Sequence, residues 1–185
     1  MSGRIILVTG GARSGKSSFA ERLMRKHAPD GCLYVATAEA LDEEMKERIS
    51  LHQAERDAVS YNWSTAEWPL SLPEQLAQSK SPAILVDCLT VWLSNELLAV
   101  EQDPDFSAKL EQRIQSFIDA AAQYEGLLVL VTNEVGSGVV PAYKLGRVFR
   151  DAAGRLNQRA AAAADEVYLV TAGIPIELKS RMVEL

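Results

Sequence analysis

One glycine-rich segment near the start of the chain limits the possible folds most strongly. The apolar run Ile5-Ile6-Leu7-Val8 leads into Gly10-Gly11-Ala12-Arg13-Ser14-Gly15-Lys16-Ser17, and a helical pattern follows. A strand, a loop with glycines at this spacing and a helix are the context of a phosphate-binding loop, in which backbone N–H groups and a helix N-terminus point at an anion. The segment therefore predicts a nucleotide site on an α/β sheet. A plain glycine-rich turn is the simpler alternative.

Two side chains of this loop have predicted roles in handling a nucleotide. Lys16 is placed to reach the β- and γ-phosphates, and the Ser17 hydroxyl is a candidate ligand for a Mg²⁺ ion that bridges them. The loop as a whole is predicted to contact phosphate through its backbone. The nucleotide-binding candidates are therefore Gly10, Gly11, Ala12, Arg13, Ser14, Gly15, Lys16 and Ser17.

Short apolar runs alternate with helical patterns along the rest of the chain. They predict strands at 5–9, 32–36, 83–87, 127–132, 167–171 and 174–178, with a short strand or extended loop at 61–68. Runs that are apolar throughout are typical of parallel strands covered on both faces, and Gly173 between the last two runs favours a hairpin. The predicted fold is α/β, a P-loop NTPase with a mostly parallel doubly wound sheet and an antiparallel edge hairpin. Residues 1–185 are expected to form a single domain.

Polar and acidic residues follow two of the predicted strands. Thr37-Ala38-Glu39 comes after the strand at 32–36, where ligands approach an open α/β sheet. Asp87 ends the run that starts at Ala83, and an acid so placed beside a phosphate-binding loop is typical of a partner for Mg²⁺. Capping of the next helix is the alternative role for Asp87. The metal role is the one the context favours.

A predicted helix from Asp42 to about Arg56 carries His52 four residues before Arg56. This spacing puts both side chains on one helical face, so that a phosphate held by the guanidinium would lie close to the imidazole. On spacing alone, a solvated histidine beside a surface arginine is the favoured interpretation.

Several local patterns predict structure rather than chemistry. Ser71-Leu72-Pro73-Glu74 has the spacing of a capping box, and His27 stands where its charge would favour a helix C-terminus. A long helix is predicted from Tyr143 to Ala164. Its basic residues are expected to form a solvated face, and they are Arg147, Arg150, Arg155 and Arg159.

Composition restricts the class of protein further. The 185 residues carry 25 acidic and 19 basic side chains, and the net charge of −6 argues against a nucleic-acid-binding surface. No apolar run reaches the roughly 18 residues of a membrane span, and no export signal is indicated. Cys32 and Cys88 lie in apolar runs without a metal-ligand spacing. Buried reduced thiols and a cytoplasmic protein are therefore expected.

Five motifs together are similar to those of a known enzyme family. They are the loop from Val8 to Ser17, the pair His52 and Arg56, Val86-Asp87-Cys88-Leu89-Thr90, Val131-Thr132-Asn133-Glu134-Val135-Gly136 and Phe149-Arg150-Asp151-Ala152-Ala153-Gly154-Arg155-Leu156-Asn157-Gln158-Arg159. On these motifs, which are spread over nearly the whole chain, the sequence resembles the bifunctional adenosylcobinamide kinase/adenosylcobinamide-phosphate guanylyltransferases of cobalamin biosynthesis.

The resemblance implies a fold and two reactions. The fold would be a doubly wound P-loop sheet like the RecA core, assembled as a homotrimer with active sites near subunit boundaries. ATP or GTP would phosphorylate the aminopropanol hydroxyl of adenosylcobinamide, and GTP would then guanylylate a histidine that passes GMP to the new phosphate. His52 matches that histidine. A neutral imidazole suits this role, because it is a good nucleophile toward an α-phosphate and a good leaving group afterwards.

The resemblance also implies the site residues. Lys16 and His52 would be catalytic, Arg56 would steady the transferred phosphate, and Ser17 and Asp87 would hold Mg²⁺. Nucleotide contacts beyond the loop would come from Thr37, Ala38, Glu39, Glu55, Arg56, Glu67 and Asp87. Two other functions stay open at this point: a P-loop small-molecule kinase without guanylyltransferase activity, and a non-catalytic nucleotide-binding regulator.

Overall fold

The computed structural model describes residues 3–38, 56 and 59–183, and within them seven strands form one sheet. The strands are β1 Arg4–Thr9, β2 Cys32–Ala36, β3 Trp63–Glu67, β4 Ala83–Asp87, β5 Leu127–Val131, β6 Glu166–Thr171 and β7 Ile174–Glu177. Their order in the sheet is β3-β2-β4-β5-β1-β6-β7. Strands β1 to β6 pair in parallel, and β7 pairs with β6 antiparallel.

Helices of the described chain cover both faces of this sheet. They are α1 Lys16–His27, α2 Leu72–Gln78, α3 Leu89–Val100, α4 Phe106–Gln123 and α5 Lys144–Ala163, with a 3₁₀ turn at Lys179–Arg181. Because side chains alternate along a strand, Ile5 and Leu7 of β1 pack on the side of α2 to α5, and Ile6 and Val8 pack on the side of α1. The predicted α/β doubly wound sheet with an antiparallel edge hairpin is confirmed.

The register of the parallel strands aligns their carboxyl ends at one edge. Val131 of β5 lies beside Val8 of β1 on one side and beside Asp87 of β4 on the other. Ala36 of β2 lies beside Asp87 in turn. The segments that follow these strands therefore meet at one edge. In open α/β sheets, ligands bind at the carboxyl ends of the strands, which is this edge.

Two local predictions were wrong, each because of contacts distant in sequence. Ser71 makes no side-chain cap and has φ 54, while Glu74 pairs with Arg113 instead of closing a capping box. The solvated basic face expected on α5 agrees with Arg155 and Arg159, whose side chains are 48% and 36% exposed while both pair with Glu111 on α4.

His27 is the second of these, and its Nδ1 lies 3.4 Å from a guanidinium nitrogen of Arg4. Burial, followed by the charges of Arg4 and Lys26, lowers the pKa of His27. The imidazole therefore favours the neutral form and does not supply the charge expected at the end of α1.

Both cysteines are buried free thiols, as predicted. Burial raises the pKa of Cys32 to about 12 and that of Cys88 to about 11. Neither thiol is therefore ionised near neutral pH. In the part of the chain that the structure describes, no helix combines the length and apolar character needed to cross a bilayer.

An ion network around the buried Glu96 joins α2, α3 and α4. Glu96 of α3 accepts hydrogen bonds from the Trp92 indole N–H at 3.1 Å and from Arg113 of α4 at 2.8 and 3.1 Å. Arg113 also pairs with Glu74 of α2, and this pairing lowers the pKa of Glu74. Since Glu96 is only 5% exposed, its charge depends on these partners.

We expect Glu96→Ala to lower the free energy of unfolding by about 3 kcal/mol, because it leaves the Trp92 N–H without its acceptor and removes two of the hydrogen bonds of Arg113 inside the helical layer. Urea unfolding measures the change. Arg155→Ala, which removes an exposed pair with Glu111, is the control and should cost less than about 1 kcal/mol. Equal losses in the two variants would contradict a special contribution of the network around Glu96.

Candidate nucleotide site

The phosphate-binding loop lies between β1 and α1, as the sequence predicts. Gly15 precedes the first residue of α1 with φ 91, a left-handed conformation that favours glycine, and its carbonyl accepts the Phe19 N–H at 3.0 Å. Lys16 begins the helix and is only 8% exposed. Its Nζ donates to the Gly11 carbonyl at 3.1 Å. The ammonium group therefore lies over the loop, where the phosphates of a nucleotide would bind.

The edge hairpin packs against this loop. The Gly173 N–H in the β6–β7 turn donates to the Ser14 carbonyl at 2.8 Å. A Cβ on Gly15 would lie 3.3 Å from the Gly173 Cα, and a Cβ on Gly10 would lie 2.4 Å from the Val170 carbonyl oxygen. Gly10 is thus required by close approach to β6. The sequence did not predict this contact between the loop and the hairpin, because no local pattern indicates it.

A buried hydroxyl in the loop supports anion binding. The Ser14 Oγ is buried and has no hydrogen-bond partner among the described residues. Buried hydroxyls are nearly always hydrogen-bonded, so this orphan atom calls for an acceptor. A phosphate oxygen held by the loop is an acceptor of the right kind.

Asp87 ends β4 at the same edge of the sheet. It is half-buried, and its Oδ2 accepts a hydrogen bond from the Tyr34 hydroxyl of β2 at 3.1 Å. Burial, followed by the charge of Asp87, raises the pKa of Tyr34, which keeps the phenol protonated as the donor. The residue that precedes α3 is Cys88, without a side-chain cap, so the structure gives Asp87 no capping role.

Arg56 lies beside this pair rather than on the surface. Its side chain is 5% exposed, and its guanidinium carbon stands 3.8 Å from the centre of the Tyr34 ring. The interpretation of a solvated surface arginine is therefore wrong, because stacking on a ring from β2 buries the cation. Arg56, Tyr34 and Asp87 form one continuous row.

Thr37 ties the end of β2 to the start of α3. Its hydroxyl donates to the Cys88 carbonyl at 2.8 Å and accepts the Cys88 N–H at 2.9 Å. Its own carbonyl accepts from the Asn95 amide at 2.9 Å. With its side chain engaged in this way, Thr37 holds the turn after Asp87, and Ala38 beyond it is half-buried.

The remaining predicted residues are not brought together by the described structure. Glu67 is exposed at the end of β3, beside Ala36 of β2 and at the outer edge of the sheet. Glu39, His52 and Glu55 lie outside the described residues. Their predicted contacts stay predictions.

A polar network that sequence reasoning did not place in the site holds the segment after β5. Thr132 donates to the Asn157 Oδ1 at 2.7 Å, and the Asn157 amide donates to the Asn133 carbonyl at 3.1 Å. The Asn133 N–H donates to the Thr90 hydroxyl at 2.7 Å. The Glu134 N–H then donates to the Gly10 carbonyl at 3.0 Å. The residues of this network belong largely to two motifs of the sequence, at 133–136 and 157–159, to which no role in the site was assigned.

Comparison with known proteins gives a match along nearly the whole chain. A family model described as "Cobinamide kinase / cobinamide phosphate guanyltransferase" matches residues 6–178. The bifunctional adenosylcobalamin biosynthesis protein CobU of Salmonella typhimurium is 47% identical, with 95% of this chain and 99% of that protein covered. CobU of Escherichia coli is 42% identical over the same shares, and CobP of Pseudomonas aeruginosa is 41% identical, with 94% and 96% covered.

Two solved structures align with most of the chain at low sequence identity and with TM-scores below 0.5. A KaiC-like protein from Pyrococcus horikoshii has a TM-score of 0.46 at 11% identity, covering 91% of this chain and 71% of its own. The flagellar accessory protein FlaH from Methanocaldococcus jannaschii has a TM-score of 0.49 at 14% identity, covering 96% and 79%.

Proposed function

The chain belongs to the cobinamide kinase / cobinamide phosphate guanyltransferase family, and we propose that it carries out both reactions at the nucleotide site described above. It phosphorylates adenosylcobinamide with ATP or GTP, and it then transfers GMP from GTP to adenosylcobinamide phosphate, giving adenosylcobinamide-GDP. The observation that carries this conclusion is the match at 41–47% identity over nearly the full length of three bifunctional relatives. The phosphate-binding loop with Lys16 over it supplies the matching chemistry.

For the kinase reaction, we assign the triphosphate to the loop from Gly10 to Ser17. The N–H groups of the loop and the start of α1 stabilise the charge of the phosphates, and Lys16 does the same for the γ-phosphoryl group as it is transferred. The main contribution of these groups is to hold the phosphoryl group in line with the incoming hydroxyl.

The residues present fit a Mg²⁺ ion bound as nucleotide sites usually bind it. Among the described residues, no cluster of three or more His, Cys, Asp or Glu side chains could hold a metal by itself. Such a cluster is not needed, because Mg²⁺ keeps several waters and takes one or two protein oxygens besides the phosphates. Ser17 in the first turn of α1 and Asp87, held by the Tyr34 hydroxyl, would bind it. When bound, the ion would neutralise charge on the phosphates.

For guanylyl transfer, we assign His52 as the nucleophile. Its imidazole nitrogen would attack the α-phosphorus of GTP as the bond to pyrophosphate breaks. A phosphate oxygen of adenosylcobinamide phosphate would then attack the same phosphorus and break the P–N bond. The buried position of Arg56 beside Tyr34 and Asp87 supports this assignment, since it places the residue four positions after His52 next to the proposed metal ligand Asp87.

We also propose nucleotide contacts from Thr37, Ala38, Glu39, Glu55 and Glu67, a homotrimeric assembly and a cytoplasmic location. The two buried free thiols suit a reducing compartment. Exposed apolar side chains on the edge hairpin suit a subunit contact, with Ile174 64% and Ile176 44% exposed. Sedimentation velocity on the purified protein measures the assembly.

The proposed function is tested by two incubations of the purified protein. With GTP and Mg²⁺ alone, intact mass should increase by one GMP, and the adduct should be labile in acid and stable in base. With adenosylcobinamide added, adenosylcobinamide phosphate and then adenosylcobinamide-GDP should accumulate. Phosphorylation without any adduct would instead indicate a kinase alone, and neither product would refute the proposal.

Asp87→Asn is expected to weaken the use of magnesium nucleotide while the fold is kept, because the amide has the same shape but lacks the negative charge that the ion needs. The Mg²⁺ concentration for half-maximal kinase rate should rise about tenfold or more. Titration with Mg²⁺ measures it, and the rate should recover at high Mg²⁺. An unchanged titration curve would show that Asp87 does not face the metal.

A further inference from the structure

We propose that Glu134 is the catalytic base of the kinase reaction, accepting the proton of the adenosylcobinamide hydroxyl as that oxygen attacks the γ-phosphate. The inference rests on the proposed function and assigns a role to the Glu134 carboxylate, which belongs to the motif Asn133-Glu134-Val135-Gly136 and has no part in the reactions as proposed so far. Loss of a base affects only the reaction that starts from a neutral hydroxyl. The two halves of the proposed function therefore report on it separately.

The sheet places Glu134 between the two halves of the phosphate site. Strand β5 lies between β1, which leads into the phosphate-binding loop, and β4, which ends in Asp87. Three residues beyond the end of β5, the Glu134 N–H donates to the Gly10 carbonyl at 3.0 Å. Lys16 Nζ binds the next carbonyl of the same loop, that of Gly11, at 3.1 Å. Glu134 is thus anchored one peptide unit from the contact made by the phosphate-binding ammonium group.

This anchoring is reinforced from the other side of the residue. Both backbone polar groups of the preceding residue are held. The Asn133 N–H donates to the Thr90 hydroxyl at 2.7 Å, and the Asn133 carbonyl accepts from the Asn157 amide at 3.1 Å. Thr132 is 1% exposed and donates to the same Asn157 side chain at 2.7 Å. A catalytic group needs a backbone held to within a fraction of an ångström, and these bonds supply that restraint.

The carboxylate itself is accessible and partly positioned. Its side chain is exposed, and Oε1 accepts the Gly136 N–H at 2.8 Å. A Cβ on residue 136 would stand 2.9 Å from that oxygen, so glycine there lets the carboxylate fold back onto the turn. A carboxylate has about four acceptor positions, which leaves capacity for a hydroxyl.

Other described carboxylates at this edge suit the task less well. Asp87 already accepts the Tyr34 hydroxyl and is assigned to the metal. Glu67 ends β3, which lies four places from β1 in the strand order. Glu134 follows the strand directly beside β1, so it is the acid closest in topology to the phosphate loop.

The chemistry balances with Glu134 as acceptor. The substrate oxygen forms a bond to the γ-phosphorus, the bond from that phosphorus to the β,γ-bridging oxygen breaks, and the hydroxyl proton passes to the carboxylate and later to water. Attack by a neutral histidine on GTP, and by a phosphate oxygen on the histidine adduct, starts from a lone pair that carries no proton to be removed. Guanylyl transfer therefore does not need this base.

Glu134→Gln tests the proposal, because glutamine keeps the shape and the acceptor for the Gly136 N–H but not the basicity. We expect kcat for phosphorylation of adenosylcobinamide to fall about a hundredfold or more, with the KM for nucleotide within about threefold of the original. The GMP adduct measured by intact mass should form at the original rate. Glu125→Gln is the matched control, since it is an exposed acid just before the same strand, at its opposite end, and both activities should be kept.

Two results would overturn the proposal while leaving the proposed function in place. One is a Glu134→Gln protein whose kinase kcat stays within about twofold of the original. The other is a parallel loss of phosphorylation and adduct formation, which would indicate that Glu134 supports the phosphate loop in both reactions. Failure of the unaltered protein to phosphorylate adenosylcobinamide would refute the proposed function itself.

Discussion

Lys16→Ala is expected to remove both reactions. In the proposed mechanism each of them begins with a triphosphate held by the loop at the start of α1. The Lys16 ammonium group lies over that loop, at 3.1 Å from the Gly11 carbonyl. Alanine leaves the charge that develops on the phosphate oxygens without its cation. Removing one such stabilising group commonly costs about a hundredfold or more in rate. Phosphorylation of adenosylcobinamide and formation of the GMP adduct should both fall by at least that factor.

The matched control for this variant is Lys26→Ala on the same helix. Lys26 is exposed in the last turn of α1, more than two helical turns from Lys16, so the substitution removes a charge without touching the phosphate loop. Thermal unfolding should show that both variants remain folded. Normal kinase turnover in Lys16→Ala would exclude the loop as the site of phosphoryl transfer.

The parts of the fold set by local pattern could be predicted from the sequence. The strands at Cys32–Ala36 and Ala83–Asp87 coincide with their predicted bounds, and β1 begins one residue before its predicted start. The reason is that a strand covered on both faces must be apolar throughout, and a glycine or proline stands directly before each of these three strands. The position of Lys16 at the start of α1 follows from the loop spacing in the same way.

Features that depend on distant contacts could not be predicted. Arg56 has the spacing of a surface residue on its own helix pattern, yet it is buried against Tyr34, which belongs to a strand 22 positions earlier in the sequence. Ser71 has a capping-box sequence, but the glutamate it requires is engaged by Arg113 of α4. In each case a tertiary partner offered a better contact than the local one.

In the candidate site, too, some features follow from local sequence patterns and others depend on distant contacts. The loop and Asp87 were found from strand-ending motifs, whereas the contact of Gly173 with Ser14 joins residues 159 positions apart. Asn157 likewise holds the end of β5 only because α5 packs beside that strand, and the sequence alone does not show this packing. The available signal in the sequence was that the motifs at 133–136 and 157–159 had no local structural explanation.

His52→Asn is expected to separate the two chemistries in the sense opposite to Glu134→Gln. Phosphoryl transfer requires positioning and charge stabilisation at the γ-phosphate, whereas guanylyl transfer through a covalent intermediate requires a nucleophile at the α-phosphate. The variant should form no GMP adduct and no adenosylcobinamide-GDP, while phosphorylation of adenosylcobinamide continues at a rate within about threefold of the original. Intact mass after incubation with GTP and product analysis after incubation with ATP measure the two halves independently.

The second histidine of the chain provides a demanding control. Burial and the neighbouring cations lower the pKa of His27, so its imidazole is neutral and chemically able to attack a phosphate. It ends α1 beside Arg4, the first residue of β1, and therefore lies at the edge of the sheet opposite the phosphate loop. His27→Asn should keep the full adduct, because position rather than reactivity excludes it. An adduct that persisted in His52→Asn and disappeared in His27→Asn would move the nucleophile to the other edge of the sheet and refute the assignment of His52.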